Sequence, residues 1–326
     1  MFKNDSLLAH MIRLEKKMIY TLTLNPAVDK EYTVPRLTTD EVLRVSEMRM
    51  DYGGKGFNVS RMLSVLGAPS TAIGLVGGHT GELLREGLEN DGILTDFVNV
   101  KGETRTNISI VERPGEHYVK LNEPGPLVSE DEIKTLFIKI SNLVKSGDYW
   151  VLAGSLPPGA PDDIYARIIR VVQESGSLAV LDCNGEPLRL GCLAGPYLAK
   201  PNASEASQIT GKSAESQADM MLITSELHAM GVKVAVISVG KKGALLCDGN
   251  QQWFGHTPTI EEHNPIGAGD AMVAGLVWQL AQGGELSTAL RWGLACGAAA
   301  ASQPGTGMAT REIINNLFSR TSVELV

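Results

Sequence analysis

The residues best suited to chemistry lie in the stretch 264-NPIGAGDAMVAG-275. Gly267 and Gly269 permit backbone conformations that expose successive N–H groups, and an apolar helical pattern begins directly afterwards. N–H groups at the start of a helix attract anions. Asp270 follows the glycines, where a carboxylate could accept the proton of a hydroxyl group that attacks a phosphoryl group. The same residue could instead only stabilise the helix dipole, so the stretch alone leaves both interpretations open.

A second glycine cluster, 53-GGKGFNVSRML-63, also leads into a helical pattern and carries Lys55 in the turn and Asn58 in the first helical turn. A lysine beside backbone donors suits a phosphate group, although a lysine in a turn is more commonly a surface residue. The sequence has no GxxxxGK[ST] motif, and Met272 occupies a position where a dinucleotide fingerprint needs a small residue. Neither a P-loop NTPase nor a Rossmann dehydrogenase is supported.

The elements that must position these residues are short apolar strands alternating with helical patterns. This alternation predicts an α/β fold with a mostly parallel sheet flanked by helices. Ser129 and Glu132 form a capping-box pattern before one clear amphipathic helix. The strand-like runs are 18–24, 70–76, 148–154, 177–182 and 232–239.

Polar residues cluster where the strand-like runs end. Open parallel sheets bind ligands beyond the carboxyl ends of their strands, so these residues are informative as a set. Taken singly, each could be a helix cap or a turn residue. The set comprises Asn25, Asp29, Ser155, Lys200, Asn202, Glu205 and the segment 238-SVGKKGA-244.

Two segments, 30–50 and 105–125, interrupt the alternation and lack a helical crossover. The second predicts two strands around a Pro-Gly turn. We interpret both as a small antiparallel sheet that stands off the main domain. Its open face needs a cover, which could be the substrate or a partner subunit.

Composition excludes several classes of protein. The formal net charge is -8, and no run of Lys and Arg exceeds two residues, which argues against nucleic-acid or anionic-membrane binding. The four cysteines contain no CxxC pair and predict reduced thiols. Residues 1–17 have only a brief apolar patch, so we interpret them as an N-terminal extension and expect a soluble, cytoplasmic protein.

The assembled motifs resemble the PfkB (ribokinase-like) carbohydrate kinases, and within them the hexose-phosphate kinase group. The resemblance runs from about Met18 to the C-terminus. It implies a ribokinase-like three-layer fold over 18–326, with lid segments at about 30–52 and 105–122. The motifs, in the family's order, are TLTLNPAVD (21–29), GGKGFNV (53–59), GETRTNI (102–108), AGSLPPG (153–159), LDCNGE (181–186), KPNASE (200–205), SVGKKGA (238–244) and GAGDAMVAG (267–275).

The resemblance also implies roles for individual residues. Asp270 would be the base that activates the sugar hydroxyl, and Gly267, Ala268 and Gly269 would form the anion hole for the migrating phosphoryl group. ATP would contact Lys200, Asn202, Ser238, Gly240 and Gly243. Mg²⁺ would be held by Glu205 and, through water, Asn202.

On the acceptor side, the resemblance implies that Asp29, Gly54 and Asn58 hold sugar hydroxyls. Lys55 and Arg105 would clamp the phosphate already on the sugar, because Arg105 can donate two parallel hydrogen bonds and Lys55 adds a point charge. This clamp separates sugar-phosphate kinases from kinases of free sugars or nucleosides. A homodimer formed through the lid is expected from the same resemblance.

The expected reaction is ATP-dependent phosphorylation of a ketohexose monophosphate, with fructose 1-phosphate giving fructose 1,6-bisphosphate as the first choice. Asn264–Pro265 and the segment QPGTGMAT (303–310) resemble tagatose-6-phosphate kinases instead. Tagatose 6-phosphate is therefore the alternative acceptor, followed by the fructose 6-phosphate of the minor 6-phosphofructokinases. A non-catalytic sugar-phosphate sensor ranks lower, because this chain keeps Asp270, the anion-hole glycines, Lys55 and Arg105 together.

Overall fold

The computed structural model describes residues 17–113, 117–303 and 309–326. The Pro-Gly turn predicted near residue 114 and most of the segment 303–310 lie outside the described residues. The described strands are β1 (Ile19–Thr23), β2 (Ala27–Val34), β3 (Glu47–Gly53), β4 (Thr71–Val76), β5 (Leu94–Thr95), β6 (Val98–Asn99), β7 (Arg105–Glu112), β8 (Tyr118–Leu121), β9 (Tyr149–Ala153), β10 (Leu178–Asp182), β11 (Leu198–Ala199), β12 (Val234–Ser238), β13 (Ala244–Cys247), β14 (Gln252–His256) and β15 (Ser322–Leu325).

Ten α-helices connect and cover these strands within the described residues. None of these helices is long and apolar enough to cross a membrane. The helices are α1 (Lys55–Val65), α2 (Gly78–Asn90), α3 (Glu130–Leu143), α4 (Ile164–Glu174), α5 (Gly185–Leu193), α6 (Ala203–Thr210), α7 (Gln217–Met230), α8 (Ala268–Ala281), α9 (Leu286–Ala301) and α10 (Arg311–Arg320).

The main sheet confirms the predicted α/β architecture. Its strand order is β15-β14-β13-β12-β11-β10-β9-β1-β4-β5, with β6 also paired to β4. In this spatial order, every neighbouring pair from β5 across to β12 is parallel. Beyond β12, the strands β13, β14 and β15 each pair antiparallel with the strand before them. β1 and β9 are buried along their whole length, as strands covered by helices on both faces should be.

Most of the core lies in two layers, one on each side of the main sheet, and a third, smaller cluster includes Leu84 and Leu88 of α2. One layer contains residues of α1, α8, α9 and α10, and the other contains residues of α3 to α7. α8 and α9 pack so closely at Gly275 that a Cβ there would come within 2.5 Å of the Trp292 carbonyl oxygen. The predicted capping box is present at α3, where the Ser129 hydroxyl accepts from the Glu132 N–H and the Glu132 carboxylate accepts from the Ser129 N–H.

The separate small sheet has the strand order β3-β2-β7-β8. The prediction that this sheet is purely antiparallel is wrong, because its central pair, β2 and β7, is parallel. Both strands leave the main domain in the same direction, starting with Ala27 beside Arg105, and each pairs antiparallel with a strand that returns, β3 or β8. Sequence periodicity reveals such strand pairs within one segment, but it does not reveal how two distant segments join.

Candidate active site

The turn before α8 has the geometry expected of an anion-binding helix start. Gly267 precedes α8 with a φ of 81°, in the left-handed region that favours glycine. One N–H of the turn, that of Ala268, already donates to the Pro265 carbonyl oxygen at 3.2 Å. A Cβ on Gly269 would lie 3.5 Å from the Lys200 Nζ, so that ammonium group sits beside the turn. The predicted phosphoryl cradle and one predicted phosphate ligand are therefore adjacent.

Asp270 lies in the first turn of α8 with only 6% of its surface exposed. Its Oδ2 accepts a hydrogen bond of 2.8 Å from the Asn58 amide on α1. Burial and the nearby Asp182 carboxylate raise the pKa of Asp270 to about 7, while the Asn58 hydrogen bond and the charges of Lys55 and Lys200 oppose that rise. A carboxyl group whose pKa lies near neutrality is well matched to proton abstraction at neutral pH.

Asp182, which the sequence reasoning did not single out, joins the two predicted phosphate-binding lysines. Its Oδ1 lies 3.3 Å from the Lys55 Nζ and its Oδ2 lies 3.4 Å from the Lys200 Nζ. Asp182 is buried; burial alone would raise the pKa of its carboxyl, but Lys200 and Lys55 outweigh that effect and lower it. The pKa of Lys55 is raised, since Asp182, Asp270 and Glu205 overcome its desolvation.

A signal for Asp182 was present in the sequence. It is the last residue of β10, at the carboxyl end of a parallel strand, like the polar residues that were singled out. The sequence alone does not show that two lysines from distant segments point at this one carboxylate.

The base of the small sheet holds the predicted acceptor residues. The Asp29 Oδ1 accepts a 2.7 Å hydrogen bond from the amide of Asn107, its register partner on β7. Burial raises the pKa of Asp29, and the Asn107 hydrogen bond opposes this. A Cβ on Gly53 would come within 2.1 Å of the Asp29 Oδ2, so any larger residue there would displace the Asp29 carboxylate. Asn107, a residue of the GETRTNI motif to which the sequence assigns no role, therefore orients Asp29.

Arg105 and Lys55, the predicted phosphate clamp, have different partners in this structure. Arg105 donates to the Asn25 carbonyl oxygen at 2.9 Å and to the Glu123 carbonyl oxygen at 3.1 Å. These contacts hold its guanidinium at the start of β7, whereas Lys55 lies with the Asp182 and Asp270 carboxylates. Gly54 precedes α1 with a φ of 148°, which favours glycine, and leads directly into Lys55.

A cavity of about 300 Å³ brings the predicted nucleotide segment and the anion turn together. Ser238, Gly240 and Gly243 line one side of it, and Ala268 and Gly269 line another. Apolar side chains complete the wall, as is typical of a site for a planar ring. These apolar residues are Met272, Leu294 and Ala298.

Asn202 and Glu205 form a capping box at the start of α6. The Asn202 Oδ1 accepts from the Glu205 N–H at 2.9 Å, and the Glu205 Oε2 accepts from the Asn202 N–H at 2.8 Å. Asn202 also forms a β-bridge with Ser238, so this corner adjoins the nucleotide segment. The described residues contain no group of three or more His, Cys, Asp or Glu side chains that could hold a metal. One carboxylate and one amide still fit Mg²⁺, which keeps several waters and binds mainly through substrate phosphates.

Comparisons with known proteins agree with this fold. Residues 18–312 match the pfkB family of carbohydrate kinases, and the chain belongs to that family. A 1-phosphofructokinase of Borreliella burgdorferi is 35% identical over 285 residues, which cover 87% of this chain and 92% of the relative. A 1-phosphofructokinase of Vibrio cholerae is 34% identical over 307 residues, covering 94% of this chain and 96% of the relative.

The crystal structure of phosphofructokinase-2 from Escherichia coli in complex with potassium superposes with a TM-score of 0.89 at 30% identity. The match covers 93% of this chain and 98% of that chain. The family and the three-layer fold predicted from the sequence are thereby confirmed.

Proposed function

We propose that this protein transfers the γ-phosphoryl group of ATP to fructose 1-phosphate, giving fructose 1,6-bisphosphate and ADP. The observation that carries the proposal is the buried Asp270 carboxylate, which lies at the anion turn with the ammonium groups of Lys55 and Lys200 close by. A base, a phosphoryl cradle and fixed positive charge are the parts that phosphoryl transfer requires. The names of the relatives support fructose 1-phosphate as the acceptor.

In the proposed reaction, the C6 hydroxyl oxygen of fructose 1-phosphate bonds to the γ-phosphorus while its proton passes to Asp270. The bond between that phosphorus and the bridging β–γ oxygen breaks, and ADP leaves with the electron pair. Lys55 and Arg105 hold the C1 phosphate, and Asp29, Gly54 and Asn58 hold sugar hydroxyls. Glu205 and, through water, Asn202 would hold Mg²⁺ beside the ATP phosphates, where the ion would neutralise phosphate charge.

The base assignment is tested with Asp270→Asn, which keeps the shape of the side chain and removes its basicity. Turnover is expected to fall by at least about a hundredfold, the usual contribution of a general base, with little change in ATP affinity. Near-normal turnover of a folded Asp270→Asn protein would disprove the assignment. If the protein were instead a non-catalytic sensor, the parent protein would bind sugar phosphates but show no turnover in the same assay.

The choice of sugar is tested by a coupled assay of ADP release that compares kcat/KM for three acceptors. We expect fructose 1-phosphate to be preferred over tagatose 6-phosphate and fructose 6-phosphate. Asn264 and Pro265 resemble the corresponding residues of tagatose-6-phosphate kinases and so favour tagatose 6-phosphate. Pro265 lines the 300 Å³ cavity beside the predicted nucleotide segment. A higher kcat/KM for tagatose 6-phosphate would overturn the proposed substrate and leave the kinase chemistry intact.

We also propose that a second copy of the chain covers the outer face of the small sheet. Met48, Tyr32, Ile110 and Val119 are successive register partners across its four strands, so they form one row on the face opposite to Asp29. Met48 is 54% and Val119 41% exposed. Sedimentation velocity is expected to show a dimer that dissociates when Val119 is replaced by Lys, while an unchanged dimer would place the interface elsewhere.

A further inference from the structure

A chain of hydrogen bonds leads from the protein surface to Asp270 and begins at two residues that no role described above uses. The Arg61 Nε lies 2.9 Å from the Asp91 Oδ2, and the Arg61 Nη1 donates to the Asn58 Oδ1 at 3.2 Å. The Asn58 Nδ2 in turn donates to the Asp270 Oδ2 at 2.8 Å. Each link therefore joins one donor to one acceptor, from Asp91 inward to Asp270.

Asn58 is the link that needs an anchor. Its amide has one end that donates and one end that accepts, and the two ends have almost the same shape. If the amide turned over, its oxygen would face the Asp270 carboxylate, and two acceptors would be in contact. Arg61 has donors only, so its bond to the Asn58 Oδ1 is compatible with just one of the two orientations.

Arg61 is itself held in place by local structure. It lies on α1 three residues after Asn58, a spacing that puts both side chains on one face of the helix. Its side chain is only 11% exposed, and its second contact, Asp91, immediately follows α2. The planar guanidinium thus connects two helices while one N–H remains directed at Asn58.

Resting on the proposed role of Asp270 as the base, we propose that Arg61 is a positioning residue that locks the Asn58 amide in the orientation that donates to Asp270. Arg61 acts through Asn58, and its own bonds are to the Asn58 and Asp91 side chains. Asp91 holds the guanidinium at its Nε atom, while the Nη1 atom donates to Asn58. The network therefore orients the Asp270 carboxylate and keeps the Asn58 amide in a position to donate a hydrogen bond to its ionised form.

The charged and polar groups around Asp270 show why this bond matters. Asp182 at the end of β10 disfavours its ionised form, while Lys55 on α1, Lys200 after β11 and the Asn58 amide favour it. Since a hydrogen bond to the charged form lowers the pKa of a carboxyl, losing the Asn58 bond raises the pKa of Asp270 further. Less of the base is then ionised at neutral pH.

The first test is Arg61→Ala in the full-length protein. We expect kcat to fall about tenfold at pH 7, the equivalent of one hydrogen bond to a charged group, with little change in KM for ATP. The pKa of Asp270, followed by carbon NMR of its carboxyl in the free protein, should move upward from about 7. Arg61→Lys, which keeps a donor at this position, should recover most of the lost turnover.

A double-mutant cycle separates positioning from general damage to the fold. In an Asn58→Ala background, Arg61→Ala should have no further effect on kcat, because the group through which it acts is gone. Arg85→Ala is a matched control: Arg85 is 24% exposed and bonds Glu82 on its own helix, α2, and Asn99 on β6, so its loss should leave kcat and the pKa of Asp270 unchanged.

The outcomes distinguish this inference from the proposed function. If Asp270→Asn keeps normal turnover, the base assignment fails. If Asp270→Asn is inactive but Arg61→Ala keeps both its kcat and the pKa of Asp270, the positioning role alone fails. Equal losses in Arg61→Ala and Arg61→Lys, together with an additive cycle, would make Arg61 a structural residue and also overturn the inference.

Discussion

Replacing Asp182 by Asn tests the electrostatic core of the site. The change removes one buried negative charge and leaves the Lys200 ammonium, whose side chain is 4% exposed, without its nearest counter-ion. Removing one partner of a buried ion pair typically costs about 3–5 kcal/mol in the free energy of unfolding. Lys55 adds little to that figure, since its side chain is 39% exposed and solvent can screen it.

The measurement is thermal unfolding with and without ATP. A cost of this size lowers Tm by about 6–10 °C, at roughly 2 °C per kcal/mol for a chain of this length. ATP should raise the Tm of Asp182→Asn more than that of the parent protein, because its phosphates replace the lost negative charge beside Lys200. The double variant Asp182→Asn, Lys200→Met removes both charges and should recover most of the stability but not the turnover.

The reasoning would be refuted by an Asp182→Asn protein with the parent Tm, because the buried Lys200 ammonium would then not depend on this carboxylate. It would also fail if the double variant were less stable than Asp182→Asn alone. Equal Tm increases with ATP in the parent and in Asp182→Asn would remove the link between Asp182 and the phosphates.

The remaining predictions concern pH and two glycines. Because the pKa of Asp270 lies at about 7, the folded protein takes up a proton between pH 7 and pH 4 that the unfolded chain does not bind. The free energy of unfolding should therefore rise as the pH falls through this window. Urea unfolding at several pH values should show a smaller rise in Asp270→Asn. Gly53→Ala would place its Cβ within 2.1 Å of the Asp29 Oδ2, so KM for the sugar phosphate should rise with little change in KM for ATP; equal changes in both would contradict a local effect on Asp29. Gly243 has a φ of 125°, and a Cβ there would lie within 1.8 Å of the Gly255 carbonyl oxygen. Gly243→Ala should therefore raise KM for ATP in steady-state kinetics and lower Tm in thermal unfolding. Parent values of both would show that the turn relaxes freely.

Much of the fold could be predicted from local patterns. The short runs rich in Val, Ile, Leu and Thr at β1 and β9 predicted strands of a mostly parallel sheet, and the capping box at Ser129 predicted where α3 begins. These signals are local, since propensity and periodicity act over a few residues. The parallel pairing of β2 and β7 was not predicted, because it depends on how two segments separated by α1, β4, α2, β5 and β6 leave the main domain.

The candidate site divides in the same way. The glycine turns and the polar residues at strand ends pointed to Asp270, Lys55 and Lys200 one at a time. Their shared contacts with Asp182, and the anchoring of Asn58 by Arg61, join residues from distant parts of the chain. No spacing in the sequence encodes such contacts.

The sequence by itself therefore determined the kind of chemistry, because turn-forming glycines and an adjacent carboxylate have local requirements that only certain residues meet. Only the tertiary structure decided how that chemistry is tuned. Burial of Asp270 and the charges of Asp182 and the two lysines set its pKa, and these effects depend on distances and on exclusion of water. Both arise when strands and helices from separate segments pack into one core.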